Sequence, residues 1–226
     1  MLTVIEDFLD PAELKSILTV LKSSIWHDGQ QTAGALAARV KFNQQLAMDC
    51  KTAQDSGEYI RRKLSQHPQF VAAALPRHIL LPRFNRYTNG GSYGAHVDNS
   101  LMYDGDVAVR TDLSCTLFLS EPESYEGGEL CIENGFGIQQ IKLRSGDLVL
   151  YPANSVHEVR PVQTGERLAA FFWVQSLVAD HEARSMLYDL DCAIQSYPEN
   201  GEAKIPDPRL QLTGLYHNLL RRWWQA

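Results

Sequence analysis

The chain is poor in cysteine. Its 226 residues include four, Cys50, Cys115, Cys131 and Cys192, and no two form a Cys-x-x-Cys pair, which excludes a zinc knuckle and a thioredoxin-type redox motif. Four reduced thiols are expected. Long apolar runs are also absent, so no segment reads as a bilayer-spanning helix. The opening stretch places Glu6, Asp7 and Asp10 where a secretory signal would need basic residues. These features set the expectation of a soluble, cytoplasmic protein with no membrane partner. Basic residues are in deficit, 21 Lys and Arg against 27 Asp and Glu, for a net charge of -6. Without a basic footprint, no nucleic-acid partner is expected. Internal repeats and low-complexity tracts are missing too.

Against these absences stands an apolar content of 44%, enough for one substantial core with decorations. The pattern divides the chain into a helical support region (1–77), a strand-rich domain (78–178) and a helical extension (179–226). In the first region Asp10, Pro11 and Glu13 form a helix start: an N-cap, a proline at the first turn and an acid three residues after the cap. Leu14, Ile17, Leu18 and Leu21 follow at helical spacing. A second helix is expected from Gly57 to Leu64 and a short one from Phe70 to Ala74, ended by Pro76. Between them the polar stretch Trp26 to Gln45 reads either as a solvated connector or as a lid over a site. In the lid reading Gly29 and Gly34 permit movement, while Gln30, Gln31, Thr32 and Asn43 supply amide and hydroxyl contacts rather than charge.

From His78 onward the period changes to two. Thr111, Leu113, Cys115, Leu117 and Leu119 alternate with Asp112, Ser114, Thr116 and Phe118, and Asn134-Gly135 marks a tight hairpin turn. Many short antiparallel strands predict a mainly β fold, a sandwich or jelly roll with helical flanks. Leu168 to Val174 is apolar on both faces, so one face should line the barrel and the other lie under the N-terminal helices. In the extension, Leu187, Leu190 and Ile194 predict one helix. A turn-rich segment through Pro198, Asn200, Gly201, Pro206 and Pro208 precedes a second helix bearing Leu212, Leu215, Tyr216, Leu219 and Trp223. Its apolar stripe, beside Arg221 and Arg222, packs on the barrel, on another subunit in a homo-oligomer, or on a membrane surface; packing is the preferred reading.

The chemistry gathers at His96-Val97-Asp98 and His157, with Arg167 ten residues further on. Residues two apart in a strand share a face, so His96 and Asp98 can aim at one ion while Val97 points away. Two imidazoles and one carboxylate on one side of a metal leave the other positions open, the ligand set of non-haem Fe(II) oxygenases. The rival for any lone histidine near a strand end is a satisfied polar residue.

The run Tyr87-Thr-Asn-Gly-Gly-Ser-Tyr-Gly-Ala-His96-Val-Asp98-Asn99, the Gly127-Gly128-Glu129-Leu130 turn, the strand Asp147-Leu-Val-Leu-Tyr-Pro152, His157 and Arg167-x-x-x-Phe171-x-Trp173 together resemble the Fe(II)/2-oxoglutarate dioxygenases of the prolyl-hydroxylase type. The nearest resemblance, over nearly the whole chain, is to the bacterial PKHD-type hydroxylases. It implies a double-stranded β-helix core that binds Fe(2+) through His96, Asp98 and His157. It also implies 2-oxoglutarate as co-substrate, dioxygen, and L-ascorbate as an accessory reductant, with hydroxylation accompanied by succinate and carbon dioxide release. Arg167 would hold the far carboxylate of 2-oxoglutarate through two parallel charged hydrogen bonds; otherwise it is a strand arginine facing water. Tyr87 and Tyr93 are candidate hydroxyl donors to the co-substrate, or tyrosines that merely pack.

One position departs from the animal oxygen-sensing relatives. Counting from Arg110, the place of their co-substrate tyrosine falls on Leu117. Arg110 itself reads as a structural ion pair in preference to a substrate contact. Prolyl-hydroxylase resemblance suggests a peptide substrate, and relatives associated with iron uptake suggest a siderophore-like small molecule. Two rival functions remain. A zinc hydrolase would need a carboxylate base near the metal, and the nearest acid, Glu158, should face away if His157 faces in. A non-catalytic metal or 2-oxoglutarate sensor would act through the C-terminal helices.

Overall fold

The computed structural model describes residues 1–32, 37–197 and 207–225. Gly34 of the polar stretch and Pro198, Asn200, Gly201 and Pro206 of the turn-rich segment lie outside the described residues.

Two antiparallel sheets form the core. The larger runs in the order Thr3–Ile5, Leu148–Pro152, Leu113–Phe118, Val162–Ser176, Arg83–Thr88, Gln44–Leu46 and Trp26–Asp28, with Tyr125–Gly127 and Pro76–Ile79 also paired to Val162–Ser176. The smaller runs Gly137–Ile141, Leu130–Asn134, His157–Val159, Ser92–His96 and Lys41–Phe42. This is the jelly-roll architecture expected from the alternating pattern. The Asn134-Gly135 hairpin closes as read, with Asn134 paired to Gly137.

Alternation decides which residues face which layer. Leu113, Cys115 and Leu117, with Leu168, Ala170, Phe172 and Val174, lie on the outer face of the large sheet and pack beneath the helices. Ser114, Thr116 and Arg167 face the space between the sheets, and Phe118 joins Tyr87, Val149, Tyr151 and Val159 in the second core. Leu117, where counting placed the relatives' tyrosine, therefore lies on the outer face, away from the space between the sheets. The ring that meets Arg167 from this strand is Phe118, whose centroid is 5.2 Å from the guanidinium.

Helix α1 (Pro11–Lys22) starts as its capping residues require: Asp10 accepts from the Ala12 and Glu13 amides, and Glu13 accepts from the Asp10 amide, all at 2.8 Å. It buries Ile17 and Leu21. Helix α2 (Lys51–Gln66) begins earlier than expected, because Ala53, Ser56 and Gly57 are buried by small size and give no apolar periodicity. Helix α3 (Pro68–Ala74) stops at Leu75, which adopts a left-handed conformation with φ 43° before Pro76. Each buried Leu, Ile or Phe of this layer contributes roughly 1.5–3 kcal/mol.

The polar stretch after α1 is not a free connector. Trp26–Asp28 and Gln44–Leu46 extend the large sheet, while Lys41–Phe42 extends the small one, so its described residues tie both sheets together beside the cavity. Short strands of two or three polar residues carry no apolar alternation, which hid them in the sequence. In the extension, α4 (His181–Gln195) and α5 (Pro208–Trp223) pack together: Tyr216, Leu219, Leu220 and Trp223 cover Leu75, Val178, Ala183 and Leu187. Leu215 stays largely exposed. No helix among the described residues is long and apolar enough to cross a membrane, and all four cysteines are unpaired.

Candidate active site

His96 ends the strand Ser92–His96 and His157 begins His157–Val159; the two residues are direct partners in the antiparallel pairing. Their rings are neighbours, tilted at 51° with centroids 4.2 Å apart. Asp98 follows in the loop, its Oδ2 3.7 Å from His157 Nε2. One ligand atom from each of the three residues lies within 4.8 Å of the others.

Backbone carbonyls set the imidazole tautomers. His96 Nδ1 lies 2.8 Å from the Gly94 carbonyl and His157 Nδ1 3.0 Å from that of Ser155. A carbonyl only accepts, so each Nδ1 carries the proton and each Nε2 presents a lone pair. Burial and the neighbouring His157 hold the His96 pKa down to about 4, despite the opposing effects of Gly94 and Asp98, so at neutral pH its imidazole is neutral. The Ser114 hydroxyl donates to Asp98 Oδ2, fixing the carboxylate. Three oriented donors of this kind fit a divalent first-row metal.

Arg167 sits in the same cavity, 1% exposed. Its guanidinium lies 5.3 Å from the Tyr87 ring centroid and 5.2 Å from that of Phe118. No carboxylate among the described residues meets Nε, Nη1 or Nη2; the Tyr125 hydroxyl is the polar neighbour of the guanidinium. Burial raises the Tyr125 pKa, and the charge of Arg167 opposes that rise. A buried cation with no carboxylate partner is far from its lowest free energy, so the geometry fits a carboxylate ligand supplied from outside the chain.

The glycines of the Gly127-Gly128 turn are dictated by this packing. A Cβ on Gly127 would lie 2.1 Å from the Pro161 carbonyl oxygen, and one on Gly128 would lie 3.1 Å from Arg167 Cδ; both have positive φ, +72° and +68°. Only glycine lets the turn run against the arginine without strain.

The two tyrosines serve different neighbours. Tyr87 is buried under Arg167, its hydroxyl 3.3 Å from Asn85 Nδ2. Burial pushes its pKa up, against the pull of Arg167 and the adjacent Asn43 amide. Tyr93 instead stacks on His96, centroids 3.6 Å apart at 18°. Arg110 donates to both Asp112 oxygens, at 2.6 and 3.0 Å, and to the Ser176 carbonyl, the structural role expected of it. Glu158 faces away from the His96, Asp98 and His157 cluster, its carboxylate 3.7 Å from Arg160.

Several lining residues escaped the sequence reading. Lys41 and Gln45, each 3% exposed, line the cavity with Arg83 and Asn85, beside Asn43, which the lid reading had named. The expectation that this stretch contributes no charge is thereby corrected, since Lys41 brings an ammonium to the wall. Their signal was present: Lys41, Asn43 and Gln45, like Arg83, Asn85 and Tyr87, are period-two rows of inward polar residues.

Residues 82–175 match the model of the 2OG-Fe(II) oxygenase superfamily, and 181–225 match that of the PKHD-type hydroxylase C-terminal domain. A PKHD-type hydroxylase of Acidovorax ebreus (strain TPSY) is 51% identical over 226 residues, covering 99% of both chains. One from Nitrobacter winogradskyi is 48% identical over 225 residues with the same coverage. Among solved structures, a Pseudomonas putida prolyl-4-hydroxylase superposes with a TM-score of 0.53 at 18% identity, covering 77% of this chain and 92% of that one. A prolyl hydroxylase from Trichoplax adhaerens gives 0.57 at 15% identity, covering 77% and 83%. These last two carry the likeness of fold, a double-stranded β-helix, and the near-full-length identity carries the family: the chain belongs to the PKHD-type hydroxylases, enzymes of the 2OG-Fe(II) oxygenase superfamily.

Proposed function

We propose that the protein hydroxylates its substrate by Fe(II)- and 2-oxoglutarate-dependent oxygenation, releasing succinate and carbon dioxide, with L-ascorbate as accessory reductant. His96, Asp98 and His157 are the iron ligands in this reading, and Arg167 anchors the far carboxylate of 2-oxoglutarate. The observation that carries it is the 1%-exposed guanidinium of Arg167, which no carboxylate among the described residues meets, set in the same cavity as the His96, Asp98 and His157 cluster.

Bound iron would supply the oxidative decarboxylation of the 2-oxo acid and the activation of dioxygen on which hydroxylation depends. The chain's own contribution is preorganisation. Each ligand histidine is held by its Nδ1–H at a backbone carbonyl, so the lone pairs converge before a metal arrives. Ser114 orients Asp98, and the Tyr93 ring limits rotation of His96. Arg167 offers a carboxylate two parallel charged hydrogen bonds in a dry pocket. Phe171 and Trp173 form an apolar wall of the same cavity and exclude water.

A hydrolase reading lacks its base. Among the described lining residues Asp98 is the one acid, and in the present reading it is a ligand. The test is succinate formation from 2-oxoglutarate, dependent on both Fe(II) and oxygen. The unaltered protein should support it and His96→Ala should abolish it together with iron binding; full iron binding and turnover in His96→Ala would overturn the assignment.

A further inference from the structure

Two side-chain amides converge on the Tyr87 hydroxyl. Asn85 stands two residues before it on the strand Arg83–Thr88, so the two side chains share a face. On the neighbouring strand Gln45 is the register partner of Asn85 and Gln44 that of Arg86; carried one residue further, the same register sets Asn43 opposite Tyr87. Directly opposed residues of an antiparallel pair lie on one face. Asn43, Asn85 and Tyr87 all line the cavity, and each is more than nine-tenths buried.

Both amides turn their N–H groups toward the phenol. Asn85 Nδ2 donates to the Tyr87 oxygen at 3.3 Å. Asn43 is oriented from behind by Gly29. The Gly29 amide donates to the Asn43 backbone carbonyl at 2.9 Å, and a Cβ on Gly29 would stand 1.9 Å from Asn43 Oδ1 and 3.1 Å from its Cγ. The side-chain oxygen of Asn43 is therefore turned to Gly29, and its Nδ2 to the tyrosine. Burial raises the Tyr87 pKa, while Arg167 and the hydrogen bond from Asn43 oppose that rise. A donor to a phenolic oxygen acts in this sense, and an acceptor from it does not.

A phenolic oxygen that accepts from two N–H donors still carries its own proton. In a site this buried, that proton needs an acceptor. The Arg167 guanidinium lies 5.3 Å from the Tyr87 ring centroid, and a carboxylate paired with it is the acceptor this geometry leaves open.

We propose that Asn43 and Asn85 are positioning residues for co-substrate binding: by filling the acceptor side of the Tyr87 oxygen they direct its proton to the 2-oxoglutarate carboxylate at Arg167, and Gly29 holds Asn43 in that role. The polar stretch after α1 thereby acts as a fixed clamp on the co-substrate pocket. This inference deepens the proposed function and rests on it in taking 2-oxoglutarate to bind at Arg167.

The experiment measures Fe(II) and 2-oxoglutarate dissociation constants anaerobically in the full-length protein and in single and double variants. Tyr87→Phe should weaken 2-oxoglutarate binding roughly tenfold or more, the loss of a hydrogen bond to a charged group, and Asn43→Leu, Asn85→Leu and Gly29→Ala about three- to tenfold each. All should retain their Fe(II) affinity. In the Tyr87→Phe protein the Asn43, Asn85 and Gly29 substitutions should cost nothing further, because no proton remains to direct, whereas a merely structural role gives losses that add. Gly29→Ala displaces Asn43 without removing a cavity side chain, so it carries the test if Asn43→Leu loses its iron. Additive losses overturn the proposal, as does unchanged co-substrate affinity in Asn85→Leu or in both the Asn43→Leu and Gly29→Ala proteins. Tighter binding in Asn85→Leu also overturns it, by making Asn85 the acceptor of the Tyr87 proton. An unchanged 2-oxoglutarate constant in Arg167→Ala strikes instead at the parent reading.

Discussion

Gly128 lies against the side chain of Arg167, so that a Cβ at position 128 would stand 3.1 Å from Arg167 Cδ, 2.9 Å from Tyr125 Cε2 and 2.8 Å from Val162 Cγ2. The turn and the anchor are one unit. Gly128→Ala should weaken 2-oxoglutarate binding while sparing iron, because it pushes on the arginine and touches no ligand. It should also cost roughly 1–2 kcal/mol of stability for the positive φ. Parallel Fe(II) and 2-oxoglutarate titrations check this; unchanged co-substrate affinity would mean that the Arg167 position tolerates the displacement.

Tyr93 separates two roles by one atom. If its work is stacking on His96, Tyr93→Phe keeps both iron and 2-oxoglutarate affinity, whereas Tyr93→Ala loosens the metal site. A hydroxyl donated to the co-substrate gives the opposite signature, a weaker 2-oxoglutarate complex in Tyr93→Phe with iron retained. Dissociation constants for both ligands in the two variants decide between them.

Glu13 couples helix capping to helix packing. Its carboxylate accepts from Lys63 at 2.6 and 2.7 Å and from Tyr59 at 2.5 Å, besides closing the cap of α1. Burial alone would raise its pKa, but Lys63, Tyr59 and the Asp10 amide outweigh that effect and hold it below the ordinary carboxylate value. A depressed folded-state pKa contributes stability above the unfolded pKa and loses it as pH falls through the folded one. Glu13→Gln should therefore destabilise the protein by about 1 kcal/mol at neutral pH, and the deficit should shrink in acid. Thermal unfolding of both proteins across that range tests the sign; a deficit that persists below the carboxylate range would assign it to packing.

The metal cluster was legible in the sequence because strand parity is local: His96 and Asp98 need only a two-residue period to share a face. His157 and Arg167 were legible through their spacing and the family resemblance. The outer and inner faces of Leu113–Phe118 and Leu168 to Val174 also followed from alternation. Lys41 was missed for a physical reason, since a two-residue polar strand shows no apolar alternation and takes its structure from the Ser92–His96 strand it joins. The early start of α2 was hidden likewise, as Ala53 and Gly57 pack by being small, not apolar and large.

The account's central claim is that one cavity holds iron at His96, Asp98 and His157 and a diacid at Arg167. Anaerobic titration of the Fe(II) protein with 2-oxoglutarate, followed by its visible charge-transfer absorption, tests both halves in the unaltered protein and in Arg167→Ala. The unaltered protein should bind one Fe(II) and develop the band. Arg167→Ala should keep its iron while its 2-oxoglutarate affinity falls on the order of thirtyfold or more, as expected for losing one side of a buried charged pair worth roughly 2–5 kcal/mol. An unchanged dissociation constant in Arg167→Ala would contradict the account and place the co-substrate elsewhere.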